Sequence, residues 1–360
     1  MNHVFLALIF LGVLISLDVP RSFAAATVEQ GPVSSSAAAG QGSGREGDEV
    51  SPPQDSGNLA ALQEYVSAKV EALSWRIDSF FGATRVYEEY RGNYVQLRGS
   101  VLFGKGGAID YDGGLRAKFD LPNLTDKVNL LIESEADNQP QDNRITTGTG
   151  NTLTDTVNNK DLNASLQIIL QQMERWDLRL QPGLKVKLPL DPFVRLRFRY
   201  LNPVSENWLT RLTLTPGWYN SRGWEARARY DFEGVMGIDS LFRSSSEAVW
   251  LLDESRNLGL TQAFLFAHAL SNKDQMAYEG GVNFEIDPEF QDTGYFASVR
   301  YRRDIHDGWI FMEVKPQILL TRDDDFKPDV SLAFTLEVLF GRQYQYPNWV
   351  ADATDVGRLK

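Results

Sequence analysis

The stretch Ile109-Asp110-Tyr111-Asp112-Gly113-Gly114-Leu115-Arg116-Ala117-Lys118-Phe119-Asp120-Leu121 decides the fold class. Ile109, Tyr111, Leu115, Ala117, Phe119 and Leu121 alternate with Asp110, Asp112, Gly114, Arg116, Lys118 and Asp120. Successive side chains of a strand point to opposite faces, so the segment carries one apolar and one charged face. It also meets the length of about 9–11 residues that a tilted strand needs to cross a bilayer. The same period returns along the chain. Leu178, Leu180, Leu184, Val186 and Leu188 oppose Arg179, Gln181, Lys185 and Lys187. Val194, Leu196, Phe198 and Tyr200 oppose Arg195, Arg197 and Arg199. Trp224, Ala226, Ala228, Tyr230 and Phe232 oppose Glu225, Arg227, Arg229 and Asp231, and Val330 to Phe340 closes the series.

A soluble β-sandwich alternates as well, so the class rests on three further observations. The polar faces are denser in Arg, Lys, Asp and Glu than one solvated sheet face requires. Tryptophans fall at strand ends: Trp176, Trp208 and Trp309 at starts, Trp218 and Trp250 at ends, and Trp224 just after a turn. Indoles so placed form the two interface girdles of a membrane barrel. The connections also obey a parity, with short turns on one side and the long Asn138–Asn159 loop on the other, as in barrels whose termini are periplasmic. Strands are expected to begin near residues 94, 108, 127, 161, 175, 193, 207, 223, 240, 257, 275, 294, 308 and 329. The expectation is an all-β, transmembrane, antiparallel up-and-down barrel of about 14 strands over residues 93–341, with one amphipathic helix before it. Twelve strands is the alternative count, because the strand near Ser240 is marginal. A soluble all-β protein is the alternative class.

Composition agrees. The chain has 360 residues, a formal net charge of -12 and 0 cysteines. After the first twenty residues no stretch approaches the roughly 18 apolar residues of a spanning helix. The acidic balance argues against nucleic acid as a partner. Residues 1–24 read as a signal peptide, with an apolar run from Val4 to Leu17 and Ser22-Phe23-Ala24 before the cleavage point, although Met1-Asn2-His3 lacks a cation. That implies export to a Gram-negative outer membrane, with outer-membrane lipid as the first partner. Residues 25–58, rich in Ala, Gly, Ser, Gln, Glu and Pro, read as a flexible low-complexity linker. Residues 59–82 read as an amphipathic periplasmic helix, with Leu62, Val66, Val70, Leu73, Ile77 and Phe80 on one stripe. The simpler expectation packs it beneath the barrel mouth. The others make it a plug, or a helix that binds a periplasmic protein partner. Residues 342–360 form a tail after the last strand.

The inward faces carry the candidate chemistry. Arg179, Lys185, Lys187, Arg195, Arg197, Arg199, Arg211, Arg227 and Arg229 come from neighbouring strands and make a cationic wall. Asp110, Asp112, Glu133, Glu135, Glu247, Glu279, Glu285 and Glu313 make an acidic one. Opposed walls in a water-filled lumen set up a transverse field that selects solutes by charge. The competing expectation is a lumen closed by salt bridges between those charges. Two hypotheses follow: a porin-like channel for small polar or charged solutes, without catalysis, or a structural barrel of an envelope complex. His268, Ser271 and Asn272 resemble the His-x-Ser-Asn motif of outer-membrane lipid hydrolases, but an extra residue separates them. Positions three apart on a strand face opposite ways, so a turn with a chance histidine is the expected reading. Asp323-Asp324-Asp325 reads as a solvated loop tip, and Arg302 to Asp307 as a turn. No cofactor or metal motif appears in the sequence.

Two segments carry a resemblance: Trp75-Arg76-Ile77-Asp78-Ser79-Phe80-Phe81-Gly82, and the run from Tyr301-Arg302-Arg303-Asp304 through Trp309–Pro316 to Leu336-Glu337-Val338-Leu339-Phe340-Gly341. They resemble a proteobacterial group of uncharacterised predicted outer-membrane proteins. The resemblance implies export and a barrel, and brings no substrate or catalytic residue.

Overall fold

The computed structural model describes residues 73–74, 76–81, 92–121, 127–136, 160–173, 175–205, 207–237, 239–252, 258–286 and 289–341, with only the backbone of 135, 136, 160 and 161. The expected signal peptide (1–24), linker (25–58), early helix (59–72) and tail (342–360) lie outside the described residues. Residues 73–74 and 76–80 are helical and are called α1. The strands are β1 (Tyr94–Phe103), β2 (Ile109–Asp120), β3 (Val128–Ala136), β4 (Lys160–Gln172), β5 (Trp176–Val186), β6 (Asp191–Ser205) and β7 (Trp208–Tyr219). They continue with β8 (Gly223–Val235), β9 (Ser240–Leu251), β10 (Leu258–Ala269), β11 (Asp274–Ile286), β12 (Phe290–His306), β13 (Ile310–Thr321) and β14 (Pro328–Gly341).

Each strand pairs antiparallel with its sequence neighbours, and β1 pairs with β14, which closes a barrel of 14 strands. Closure joins the two terminal strands, so neither β1 nor β14 is left as a free sheet edge. The closing register sets Tyr94 against Gly341 and Phe103 against Leu332. Chain entry, chain exit and the first residue of every odd-numbered strand lie at one mouth, here the terminal mouth. The opposite end is the far mouth, where residues 137–159 connect β3 to β4.

The barrel is inside out. Leu97, Leu166, Phe264, Phe334, Leu336 and Phe340 are exposed, whereas Arg211, Arg302, Glu233, Glu337 and Asp177 are almost completely buried. The exposed apolar residues occupy one strand parity and the buried charges the other, so an apolar exterior surrounds a polar interior. Such an exterior needs lipid to cover it. The chain is a transmembrane β-barrel. Trp176, Trp208 and Trp309 ring the terminal mouth, and Trp218, Trp224 and Trp250 ring the far mouth. Trp218 and Trp224 are direct cross-strand partners, and Trp309 meets Phe340 at 6.4 Å between ring centroids.

Local chemistry explains the less regular places. Asp307 and Gly308 both have positive φ, 41° and 81°, and Trp309 donates to the His306 carbonyl at 3.0 Å. This is the two-residue Asp-Gly hairpin turn whose twist matches that of the strands. Arg302 to His306 therefore remain in β12, and the turn is only Asp307-Gly308. The marginal strand near Ser240 exists as β9. Its Ser244 and Ser246 face outward and bind Gln262 on β10: Ser246 donates at 2.5 Å, and the Gln262 amide donates to Ser244 at 3.0 Å. Mutual pairing lets three polar side chains occupy the apolar exterior.

Candidate functional site

α1 lies inside the barrel, not beneath it. Leu73, Ile77 and Phe81 recur every four residues on one face, and Phe81 donates its amide to the Ile77 carbonyl at 3.0 Å. That face packs against Leu201, Leu209, Val235, Leu241, Ala267 and Ala277, all inward positions at the terminal ends of β6 to β11. Phe80 extends the contact edge-on to Phe311 of β13 at 5.6 Å. The terminal mouth thus has an apolar collar where the rest of the wall is charged, and α1 fills it.

The next face of α1 is polar and equally buried. Ser74 donates to Glu233 at 2.6 Å, while Arg243 donates to Ser74 at 3.0 Å and to both Asp78 oxygens at 2.9 and 2.7 Å. Arg243 also faces Glu233 at 3.3 Å, and Arg211 donates to Glu233 at 3.1 Å. In charges, the wall supplies Arg211, Arg243 and Glu233, and the helix supplies Asp78. The seated helix brings the Asp78 carboxylate to Arg243, which shares Glu233 with Arg211. A buried charge is stabilised by each hydrogen-bonded partner, so the Asp78 carboxylate ties the helix to this wall. Arg76 adds an exposed pair with Asp239 at 3.0 Å. A cavity on the lumen side of the helix is bounded by Ile77, Asp78 and Phe81, and by Arg229, Glu279 and Arg300.

The register turns every candidate wall residue that lies on a strand and whose side chain is described toward the lumen. Arg179 on β5 is paired with Asp177 at 2.7 Å, and the same carboxylate faces Arg199 at 3.7 Å and Arg197 at 3.9 Å. Arg195 lies over the Phe193 ring and Lys185 over the Tyr219 ring. Lys187, just past β5, pairs with Asp191 at 3.3 Å. Arg211 belongs to the helix seat. Arg227 faces Glu225 at 3.8 Å and Glu247 at 3.6 Å, and Arg229 pairs with Asp231 at 2.9 Å. Of the acidic candidates, Asp110 and Asp112 stand opposite Leu102 and Ser100, Glu279 opposite Leu265, Glu285 opposite Gly259, and Glu135 opposite Asp161. Glu133 pairs with Arg116 at 3.3 Å. Glu313 is a hub for Arg98, Arg300 and Arg302 at 3.4, 3.8 and 3.6 Å, and Arg302 also reaches Glu337 at 2.6 Å.

The walls are therefore biased in sign and not uniform. Asp177, Asp191, Glu225, Asp231 and Glu233 stand among the cations, and Arg98, Arg116, Arg300 and Arg302 among the acids. Strand parity marks these residues as inward too, and they belong with the site. Asp78, Ser74 and Arg243 carried no comparable signal: the first two lie off the apolar stripe, and Arg243 lies in the strand that alternates least.

His268 and Ser271 have separate surroundings. His268 faces outward and stacks on Tyr278 at 5.9 Å. Ser271 donates to Asp274 at 2.7 Å and accepts from the Lys273 and Asp274 amides, which fixes the β10–β11 turn. Asp324 and Asp325 of the acidic run bind Thr321 and Lys327 locally. Among the described residues no group of three or more potential ligands gathers to hold a metal ion.

A lipid-covered barrel with a charged lumen and a helix of its own chain in one mouth defines the class. The barrel is similar to solved outer-membrane structures. A loop L8 deletion mutant of OmpT, an outer membrane protein of Vibrio cholerae, shares 10% identity over 69% of this chain and 98% of its own, with a TM-score of 0.43. A bacterial polysaccharide outer membrane secretin shares 10% over 70% and 99%, with a TM-score of 0.43. The NanC porin shares 10% over 49% and 93%, with a TM-score of 0.34. No protein-family model and no curated protein matches the chain.

Proposed function

We propose that the protein is a porin-like channel of a Gram-negative outer membrane that passes small polar or charged solutes and is held shut at its periplasmic, terminal mouth by α1. One observation carries the reading: Arg243 of the lumen wall donates to both carboxylate oxygens of Asp78 where α1 enters. A barrel that served only as a scaffold has no need of a wall charge that its own helix neutralises. Small pores also need a polar lining, and parity supplies one along the lumen beyond the apolar collar. The apolar face of α1 is occupied by the collar. The test is planar-bilayer conductance of the full-length protein beside a variant lacking residues 73–81. The full-length protein is expected to be silent or to open briefly, and the deletion variant to give long, stable steps. A deletion variant that folds, judged by heat-modifiable migration in gels, and still does not conduct would remove the proposal.

A further inference from the structure

The lipid-facing surface carries a polar island. Ser244 and Ser246 of β9 and Gln262 of β10 lie mid-strand on the outward parity, between the tryptophans of the two mouths. At that depth acyl chains surround the barrel and offer neither a donor nor an acceptor. The three side chains bind one another, but the set is not closed. Ser244 accepts from the Gln262 amide, and its own hydroxyl hydrogen reaches no acceptor among the described residues. Ser246 donates to the Gln262 oxygen, and its own oxygen receives no donor among the described residues. A donor and an acceptor are thus left facing lipid.

The relief around the island suits a close contact. On one flank Ala248 stands opposite Ala228, and on the other Gly280 stands opposite Ala297, so the backbone lies near the surface at both places. Phe264 follows Gln262 on the outward face of β10, is 49% exposed and stands directly opposite Gly280, so a knob and a hollow are neighbours. Small residues let two membrane-embedded backbones approach, and polar side chains bond across the contact.

We propose that this face joins two copies of the chain about a twofold axis along the membrane normal. Such an axis keeps both barrels in one orientation and returns every group to its own depth, so island meets island. The spare Ser244 donor of each copy then lies level with the spare serine oxygen of the other, and each phenylalanine knob faces a glycine hollow. An acyl chain fills the hollow but leaves the donor unmet. A second copy supplies both the donor and the acceptor at the same depth, and for that reason it is the occupant that fits. The inference needs the barrel in its membrane and does not rest on the channel reading.

The experiment is sedimentation equilibrium of the folded full-length protein in detergent, with thiol cross-linking in lipid vesicles to map the face. A monomer–dimer equilibrium is expected. The chain has 0 cysteines, so Ala228→Cys should give oxidised dimers at several times the yield of Leu97→Cys, an outward position on the other side of the barrel. Replacing Ser244 and Ser246 together by alanine removes the matched donor and acceptor and should weaken dimerisation about tenfold. Ala248→Trp adds only apolar bulk to a lipid-facing position and should abolish the dimer; it serves as the second variant should the serine variant fail to fold. A monomer at every concentration, equal cross-linking at the two positions, or a dimer whose affinity survives both variants would overturn the proposal. A monomer whose serine-free form also resists urea better would overturn it too, and would assign the face to lipid.

Discussion

Replacing Asp78 by alanine tests the helix seat directly. Asp78 accepts two hydrogen bonds from Arg243, and both side chains are at least nine-tenths buried. Removing one partner of a buried pair costs about 3–5 kcal/mol; the lower figure applies here, since the remaining wall keeps Glu233 close to Arg243. About 3 kcal/mol is roughly a hundredfold in the ratio of unseated to seated helix. The apolar side chains Leu73, Ile77 and Phe81 contribute about 1.5–3 kcal/mol each, so the helix stays mostly seated and the change appears in its rare excursions. With 0 cysteines in the chain, a single Ile77→Cys thiol reports those excursions without background. Its maleimide labelling rate should rise about a hundredfold when Asp78→Ala is added. Asp239→Asn breaks the exposed pair with Arg76 and should change the rate a few-fold at most, because surface pairs contribute about 0–1 kcal/mol. A rise of less than about threefold with Asp78→Ala, or an equal rise with Asp239→Asn, would refute the idea that the buried network holds the helix.

Two predictions concern the barrel. Arg302→Met leaves Glu337 and Glu313 buried without their shared partner and should lower unfolding stability by about 3–5 kcal/mol in urea titrations of the lipid-inserted protein; an unchanged midpoint would show that the hub is not structural. Gly234→Ala places a methyl group 2.2 Å from the Trp208 ring and should force that indole off the strand at a cost of about 1–3 kcal/mol, read as altered tryptophan emission and lowered stability. Unchanged emission would mean that the ring does not rest on Gly234.

Strand parity was readable because it needs only neighbouring residues: one apolar, one charged, repeated. It put Arg195, Arg197 and Arg199 on the lumen face without any knowledge of what surrounds them. The same rule was least clear at β9, where Ser244-Ser245-Ser246 breaks the alternation. There the outward serines are tolerated through Gln262, which lies on another strand and is invisible to a local pattern. The helix was readable as an amphipathic stripe, but its position was not. Asp78 looks like one more residue on a solvated face until β9 brings Arg243 to it across 165 positions of sequence. Parity likewise marks a charge as inward without naming its partner, so two walls of single sign were the natural expectation. Asp177 among three arginines and Glu313 among three more show the finer pattern, in which each wall holds some of its own countercharge.

The seat of α1 has a kinetic consequence that follows from the chain itself. Residues 82–93 join the helix to β1 and span at most about 40 Å when extended, so a helix that leaves the collar stays near the mouth it left. Its local concentration there is about millimolar, whatever the abundance of the protein in the membrane. Reclosure is thus a first-order event. A soluble copy of residues 73–81 would have to reach that concentration to compete, and in the proposed channel each opening would end by return of the chain's own helix and not by arrival of a second molecule.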